Sequence, residues 1–229
     1  MEAGAGMSPS GRFEPTPGWR TREVEEDLPD VRLIQAEVEL AREAPLLAAS
    51  PRQVRERLRE LSNRFRGGRA VAVRREPVPA AYRVFFRHIG LDPDVVRTPI
   101  EAAVLERMLR GGFLSEGFLK DVLLIALVDT GVPVWALDAA SVDGPLGIRP
   151  SREGERLGRP PAGGPLPPGR LVIADASGPL AILFAKPCAQ HEPAAATRRL
   201  TLFAVGVPGV PEVYVEEALW SCHAALGRA

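Results

Sequence analysis

DVLLIALVDTGVPVWALDAASVDGPLGIRP, residues 121–150, changes its hydrophobic period halfway along, and the fold class turns on that change. From Glu116 to Val128 the chain is apolar nearly all round once Lys120 and Asp121 are passed, which predicts a buried helix. Beyond Gly131, short apolar pieces are separated by Gly and Pro. VPVWALD and PLGIR come first, then RLVIAD, PLAILFA and RRLTLFAVGV, and these read as strands of a mixed or antiparallel assembly. GRPPAGGPLPPGR, Gly158 to Arg170, is too rich in Pro and Gly for regular packing and reads as a surface loop. A last helix is expected from about Pro211 to Leu226.

Upstream the pattern is helical. SPRQVRERLRELSNRFRGG places Val54, Leu58, Leu61 and Phe65 on one face, with Ser50 as N-cap, Pro51 at the first position and Gly67 as the stop. Further helices are predicted over Ala80–Ile89 and over Pro99–Arg110, the latter with Thr98 as N-cap and Gly111-Gly112 at its end. Val31 to Ala41 alternates with a period of two and favours a strand. Residues 1–28, rich in Gly, Pro, Ser and charge, read as a flexible leader before one folded unit over 29–229. Helices first and strands second define a single-domain α+β protein.

Composition narrows the function classes. Lys and Arg total 29 and Asp and Glu total 29, so the chain lacks the basic excess of a general nucleic-acid binder, and no DNA partner is expected. The longest apolar run, Val122–Val128, is far short of a membrane span. Cys188 and Cys222 form neither a CxxC pair nor a metal-ligand spacing, so no metal or cofactor is expected. Two thiols and a first segment without an apolar core suggest a cytoplasmic setting. Only Lys120 and Lys186 represent lysine, read as composition bias. Seven arginines from Arg52 to Arg69 face Glu56 and Glu60, a local excess read as a solvated helix face, with a nucleic-acid patch as the alternative.

GxSxG, Walker, GxGxxG and HExxH motifs are absent. His88 reads as a half-exposed polar residue, and His223 as a cation near a helix C-terminus. His191 beside Glu192 sits in a loop between strands, where the pair either activates a water or is simply solvated. Asp129, Asp138, Asp143 and Asp175 stand at strand and helix ends, where turn formation accounts for Asp143 and Asp175.

Residues 121–157 resemble the core of the phenylalanyl-tRNA synthetase β-subunit editing domain: apolar helix, Gly-x-Pro-x-x-Ala-x-Asp, Gly turn, Ile-Arg strand and Gly-Glu. RLVIADASGPLAILFAKP, 170–187, is similar to that domain's strand pair. YRVFFRHIGLDPDVVRTPIEAAVLERMLRGG resembles its freestanding relatives. The resemblance spans roughly residues 30–226. It implies helices sandwiched with sheets around an aminoacyl-sized pocket, tRNA or its aminoacyl group as partner, and a trans-acting deacylase role, because the synthetase domain hydrolyses mischarged tyrosyl-tRNA. The family's Thr-Asn pair corresponds to Leu123 and Leu124, its histidine to Trp135, and its Gly-Gly-Glu to the region of Gln190, His191 and Glu192. Such a pocket is either a closed core or the site of a non-catalytic module that binds a small apolar ligand or a protein partner. Arg97, Glu101, Asp138 and Arg149 complete the expected lining. Structural readings compete here: an Arg97–Glu101 ion pair, and support of a turn and a strand edge by Asp138 and Arg149.

Overall fold

A computed structural model describes residues 13–40, 46–158 and 163–227. It is an α+β protein with two four-stranded sheets, a two-stranded ribbon and, among these residues, seven α-helices.

The first sheet joins β1 (Thr16–Pro17), β3 (Arg32–Glu39), β10 (Arg199–Gly206) and β4 (Val134–Asp138), in that order and antiparallel throughout. The second joins β2 (Trp19–Arg20), β5 (Gly147–Pro150), β8 (Leu171–Ala174) and β9 (Pro179–Ile182), with only β2 and β5 parallel. β6 (Arg156–Leu157) and β7 (Gly164–Pro165) form the ribbon. Two helices, α6 (Phe118–Thr130) and α7 (Glu212–Leu226), pack on each other and on the first sheet. Leu33, Ile34, Leu137, Ile148, Ile173, Leu202 and Leu219 belong to the single large core between these layers.

The turn after α6 shows how local chemistry sets the change from helix to strand. Gly131 takes φ +77°, a conformation open to glycine at little cost, and its N–H closes on the Leu127 carbonyl at 2.8 Å. Pro133 follows, and the chain leaves as β4. Gly147 is required for another reason: a Cβ there would lie 2.0 Å from the Trp19 indole, which covers it.

Of the remaining helices, α2 (Arg52–Arg64), the short α3 (Gly68–Ala72) and α5 (Pro99–Arg110) build a second lobe, whereas α4 (Pro77–His88) packs on the main core through Val78, Tyr82 and Phe85, and α1 (Arg22–Asp27) lies near the second sheet. Leu58, Leu61, Phe65, Val73, Ile100, Val104 and Phe113 pack with one side of α6 in a second core. Thr98 caps α5 as expected and forms a capping box with Glu101, and Gly111 ends the helix at φ +78°.

Three expectations change. Residues 13–27, within the segment read as leader, supply β1, β2 and α1, and Val24 is buried; residues 1–12 lie outside the described ones. Ser50 does not cap α2: Pro51 occupies that position, and the Ser50 hydroxyl donates to Asp121 instead. The Asp121 carboxylate is itself buried. It also accepts from the Ser115 hydroxyl and, at 2.8 Å, from the Glu116 N–H, so it ties the start of α6 to two preceding segments. Finally, His223 is not a free helix-end cation. Its ring is half-buried edge-on to Phe13 at 5.4 Å, and burial pushes its pKa down toward the neutral form.

Candidate functional site

Where α6 approaches β4 and the segment following β9, a cleft of about 300 Å³ opens. Its floor and walls are apolar: Leu46, Leu47, Leu119, Leu123, Trp135 and Pro187. That volume sits at the small end of ligand pockets, and the lining is of the kind that takes an apolar group.

Trp135 is held from behind. Its indole stacks on Phe203 with centroids 5.5 Å apart and planes 16° from parallel, and it meets Phe184 at 6.1 Å. Strand register explains the first contact, because Trp135 pairs with Phe203 across β4 and β10. Phe184 also touches Tyr82, Phe85 and Phe86 of α4, at centroid distances of 5.2 to 5.9 Å. It adopts φ +63°, the only non-glycine residue in the left-handed region among those described. A bulky side chain in that region is strained, and such strain persists where surroundings over-determine the conformation. Here four aromatic rings do so. Two residues later the same segment delivers Lys186 to the cleft.

The rim is charged and balanced. Lys186 pairs with Glu192 at 2.8 Å, and Lys120 lies 3.5 Å from Glu116 across one turn at the start of α6. All four line the cleft. Glu116 is held below the usual carboxylate range, chiefly by its hydrogen bond from Arg110 and further by Lys120, with burial opposing. An apolar floor edged by both signs of charge suits a zwitterionic or amine-bearing group with an apolar side chain. No histidine stands among its described lining residues.

Leu123, Trp135 and Glu192 therefore converge, and six other expected residues do not line this cleft. Leu124 is turned toward the helical core. The 100° step between adjacent helical residues turns Leu124 away from the side of α6 that Leu119 and Leu123, four residues apart, present to the cleft. His191 is buried and engaged at both nitrogens: Nδ1 donates to the Ser141 carbonyl at 3.0 Å, which fixes the tautomer and leaves Nε2 to accept from Gln190 at 2.7 Å. Asp138 accepts from the Thr197 hydroxyl at 2.7 Å and from the Ala140 N–H at 3.0 Å, which supports a turn. Arg149 is buried in a forked pair with Glu155, Nη1 to Oε2 at 2.8 Å. Glu101 is bound by Arg83, not by Arg97, so the expected Arg97–Glu101 pair is corrected; Arg97 is exposed. Asp175 accepts from the N–H groups of Asp143, Ser177 and Gly178, the turn role expected of it.

Sequence reasoning missed Lys120 and Lys186, although a signal existed. In a chain with only two lysines, both stand at the mouth of one apolar cleft. Glu116 and Leu46-Leu47 carried no comparable mark. Among the described residues no group of three His, Cys, Asp or Glu side chains is placed to hold a metal, and no helix is long and apolar enough to cross a membrane.

Part of the chain is similar to a subunit of one class of proteins, the aminoacyl-tRNA ligases. The chain is related over part of its length to the phenylalanine–tRNA ligase beta subunit. Identity to that subunit from Xanthomonas euvesicatoria pv. vesicatoria (strain 85-10) is 35% over 97 residues, 41% of this chain and 12% of the relative. For Xanthomonas axonopodis pv. citri (strain 306) it is 37% over 68 residues, 30% of this chain and 8% of the relative. For Xylella fastidiosa (strain Temecula1 / ATCC 700964) it is 34% over 97 residues, again 41% and 12%. The matched stretch thus spans about an eighth or less of these relatives. No family model matches the chain.

Proposed function

We propose that this protein recognises the aminoacylated end of a tRNA, receiving an apolar aminoacyl side chain in the Trp135 cleft and binding it without hydrolysis. The observation that carries this reading is the cleft itself: Leu119, Leu123 and a doubly backed Trp135 at the floor, with Lys120–Glu116 and Lys186–Glu192 at the rim. An α-ammonium fits against a rim carboxylate, the apolar side chain against the indole, and nearby phosphates against the lysines. The partial relationship to phenylalanine–tRNA ligase beta subunits supports tRNA, in the cytoplasm, as the bearer of that group. Residues 29–229 act as one module in this reading, with 13–28 laid onto it.

Binding is favoured over deacylation because a hydrolase needs a base within hydrogen-bond reach of its water. His191 has both nitrogens occupied away from the cleft, and Glu192 is neutralised by Lys186. Trans-editing deacylation remains the second reading, on the single observation that Glu192 stands at the cleft rim.

Calorimetric titration with 3′-phenylalanylamino-3′-deoxyadenosine, whose amide resists hydrolysis, tests the binding reading. Saturable binding by the full chain is expected, lost on Leu123→Glu and retained on His191→Gln. Absence of binding to this compound and its tyrosyl, leucyl and valyl counterparts contradicts it. Incubating the protein with charged tRNAs separates the second reading: their ester bonds should survive, whereas turnover abolished by Glu192→Gln would establish hydrolysis.

A further inference from the structure

The formally neutral chain is strongly polarised. Residues 50–90 contain eleven arginines and no lysine against three glutamates, whereas the rest carries 18 basic and 26 acidic residues. α2, α3 and α4 all lie in this segment.

Several of these arginines are used internally. Arg57 and Arg64 both reach Asp129 at 2.9 Å, and Arg57 also binds Glu60; Arg52 binds Glu56. Arg83 is buried between Glu101 and Asp94. That accounting leaves a second set. Arg55 and Arg59, one helical turn apart, are not fully buried and make no salt bridge among the described residues. Arg66 emerges just past the end of α2 and, among the described residues, donates to the neutral Asn63 and makes no salt bridge. Arg74 and Arg75 are exposed on the turn after α3, where Val73 is anchored in the same core as Leu58, Leu61 and Phe65. Shared packing therefore fixes one end of this basic set against the other.

Bringing like charges together on a rigid lobe costs free energy unless a polyanion relieves it, and guanidinium groups suit phosphate oxygens geometrically. We infer that this arginine face is a second binding surface, which seats the phosphate backbone of an RNA, the body of the tRNA whose end the cleft receives. The inference extends the proposed function but stands on different residues, so the two can fail separately.

The test is fluorescence anisotropy of the full chain with a labelled tRNA transcript bearing no amino acid, across a salt series. Four reversals, R55E, R59E, R66E and R75E, are expected to weaken binding by about tenfold or more at low salt and to lower the log–log salt slope by about three. The corresponding R55K, R59K, R66K and R75K variant should retain the slope. R22E, R32E, R152E and R199E, equal in charge but outside the lobe, should leave it within error. Circular dichroism checks that the variants are folded, and should a reversed variant unfold, R55Q, R59Q, R66Q and R75Q replaces it with the same expected loss. No binding by the wild type, or a slope indifferent to the lobe reversals, overturns the inference. Lobe reversals should also leave affinity for the aminoacyl-adenosine amide unchanged. If that compound fails to bind while the salt response follows the lobe, the cleft reading falls and this one stands.

Discussion

Leu123 and Leu124 are neighbours in sequence and belong to different regions of the molecule. Leu123 looks onto a cleft walled by a strained aromatic segment and a charged rim. Leu124 looks into a helical core closed by Phe65, Phe113, Ile100 and Val104 and bounded by a capping box. The cleft side carries an open apolar surface whose shape depends on long-range pairing. On the helical side, apolar groups are consumed by packing and the notable surface is charge. One helix, α6, therefore separates an apolar cleft from a helical lobe whose outer face is charged.

The largest expected effect breaks the cleft side from behind. Phe203 is buried and stacked under Trp135, so Phe203→Ala should cost about 3–5 kcal/mol in a denaturant titration and shift tryptophan emission as the indole loses its support. A loss under 1 kcal/mol with unchanged emission would show that Phe203 does not set the wall.

Next is the buried Arg149–Glu155 fork, which sequence reasoning placed in the pocket and the structure places in the scaffold. Arg149→Met strands Glu155 and should cost about 3 kcal/mol while leaving ligand affinity intact. Glu155 is held below the usual carboxylate range by the hydrogen bond from Arg149, with burial opposing. A depressed folded pKa means that its stabilisation is present above the ordinary glutamate pKa, near 4.5, and is lost as pH falls through the folded value. Thermal melts should show that acid loss in the wild type and a flatter profile in the variant.

The adjacent leucines sharpen the comparison directly. Leu124→Ala should cost about 2 kcal/mol and leave affinity for the aminoacyl-adenosine amide unchanged. Leu123→Ala should cost less stability and change that affinity. Equal ligand effects at both positions would erase the distinction between the two faces.

The smallest effect concerns His223. Burial lowers its folded pKa, so the folded state binds the proton less readily than the unfolded chain. Stability from this group is fully present above the unfolded pKa, about 6.5, and declines as pH falls from there toward the folded value. His223→Phe should remove that slope in melts between pH 7 and 5.

How much could be read beforehand follows from the range of each signal. α5, α2 and the Gly131 turn are local features, written in caps, four-residue spacing and a left-handed glycine, and their bounds follow within a few residues. β1 and β2 are two residues each, too short for any period, and exist because distant strands accept them; hence residues 13–28 resembled a leader. The strands after Gly131 were legible as strands, while their order was not, since β10 between β3 and β4 depends on pairing over long sequence separations. Of the residues the resemblance singles out, Trp135, Leu123 and Glu192 line the cleft. Asp138, Arg149 and His191 are each engaged by a partner of their own, Thr197, Glu155 and Ser141, and no spacing rule reveals those contacts.

The proposed function puts an aminoacyl group on the indole of Trp135, between two lysine–glutamate pairs. Crystals of the full chain grown with 3′-phenylalanylamino-3′-deoxyadenosine test it directly. Electron density should show the phenyl ring packed on Trp135 and Leu123, with the ammonium within 3.5 Å of the Glu116 or Glu192 carboxylate, roughly the reach of a charged hydrogen bond. An empty cleft at saturating compound, or the compound bound elsewhere with Trp135 untouched, would contradict the account.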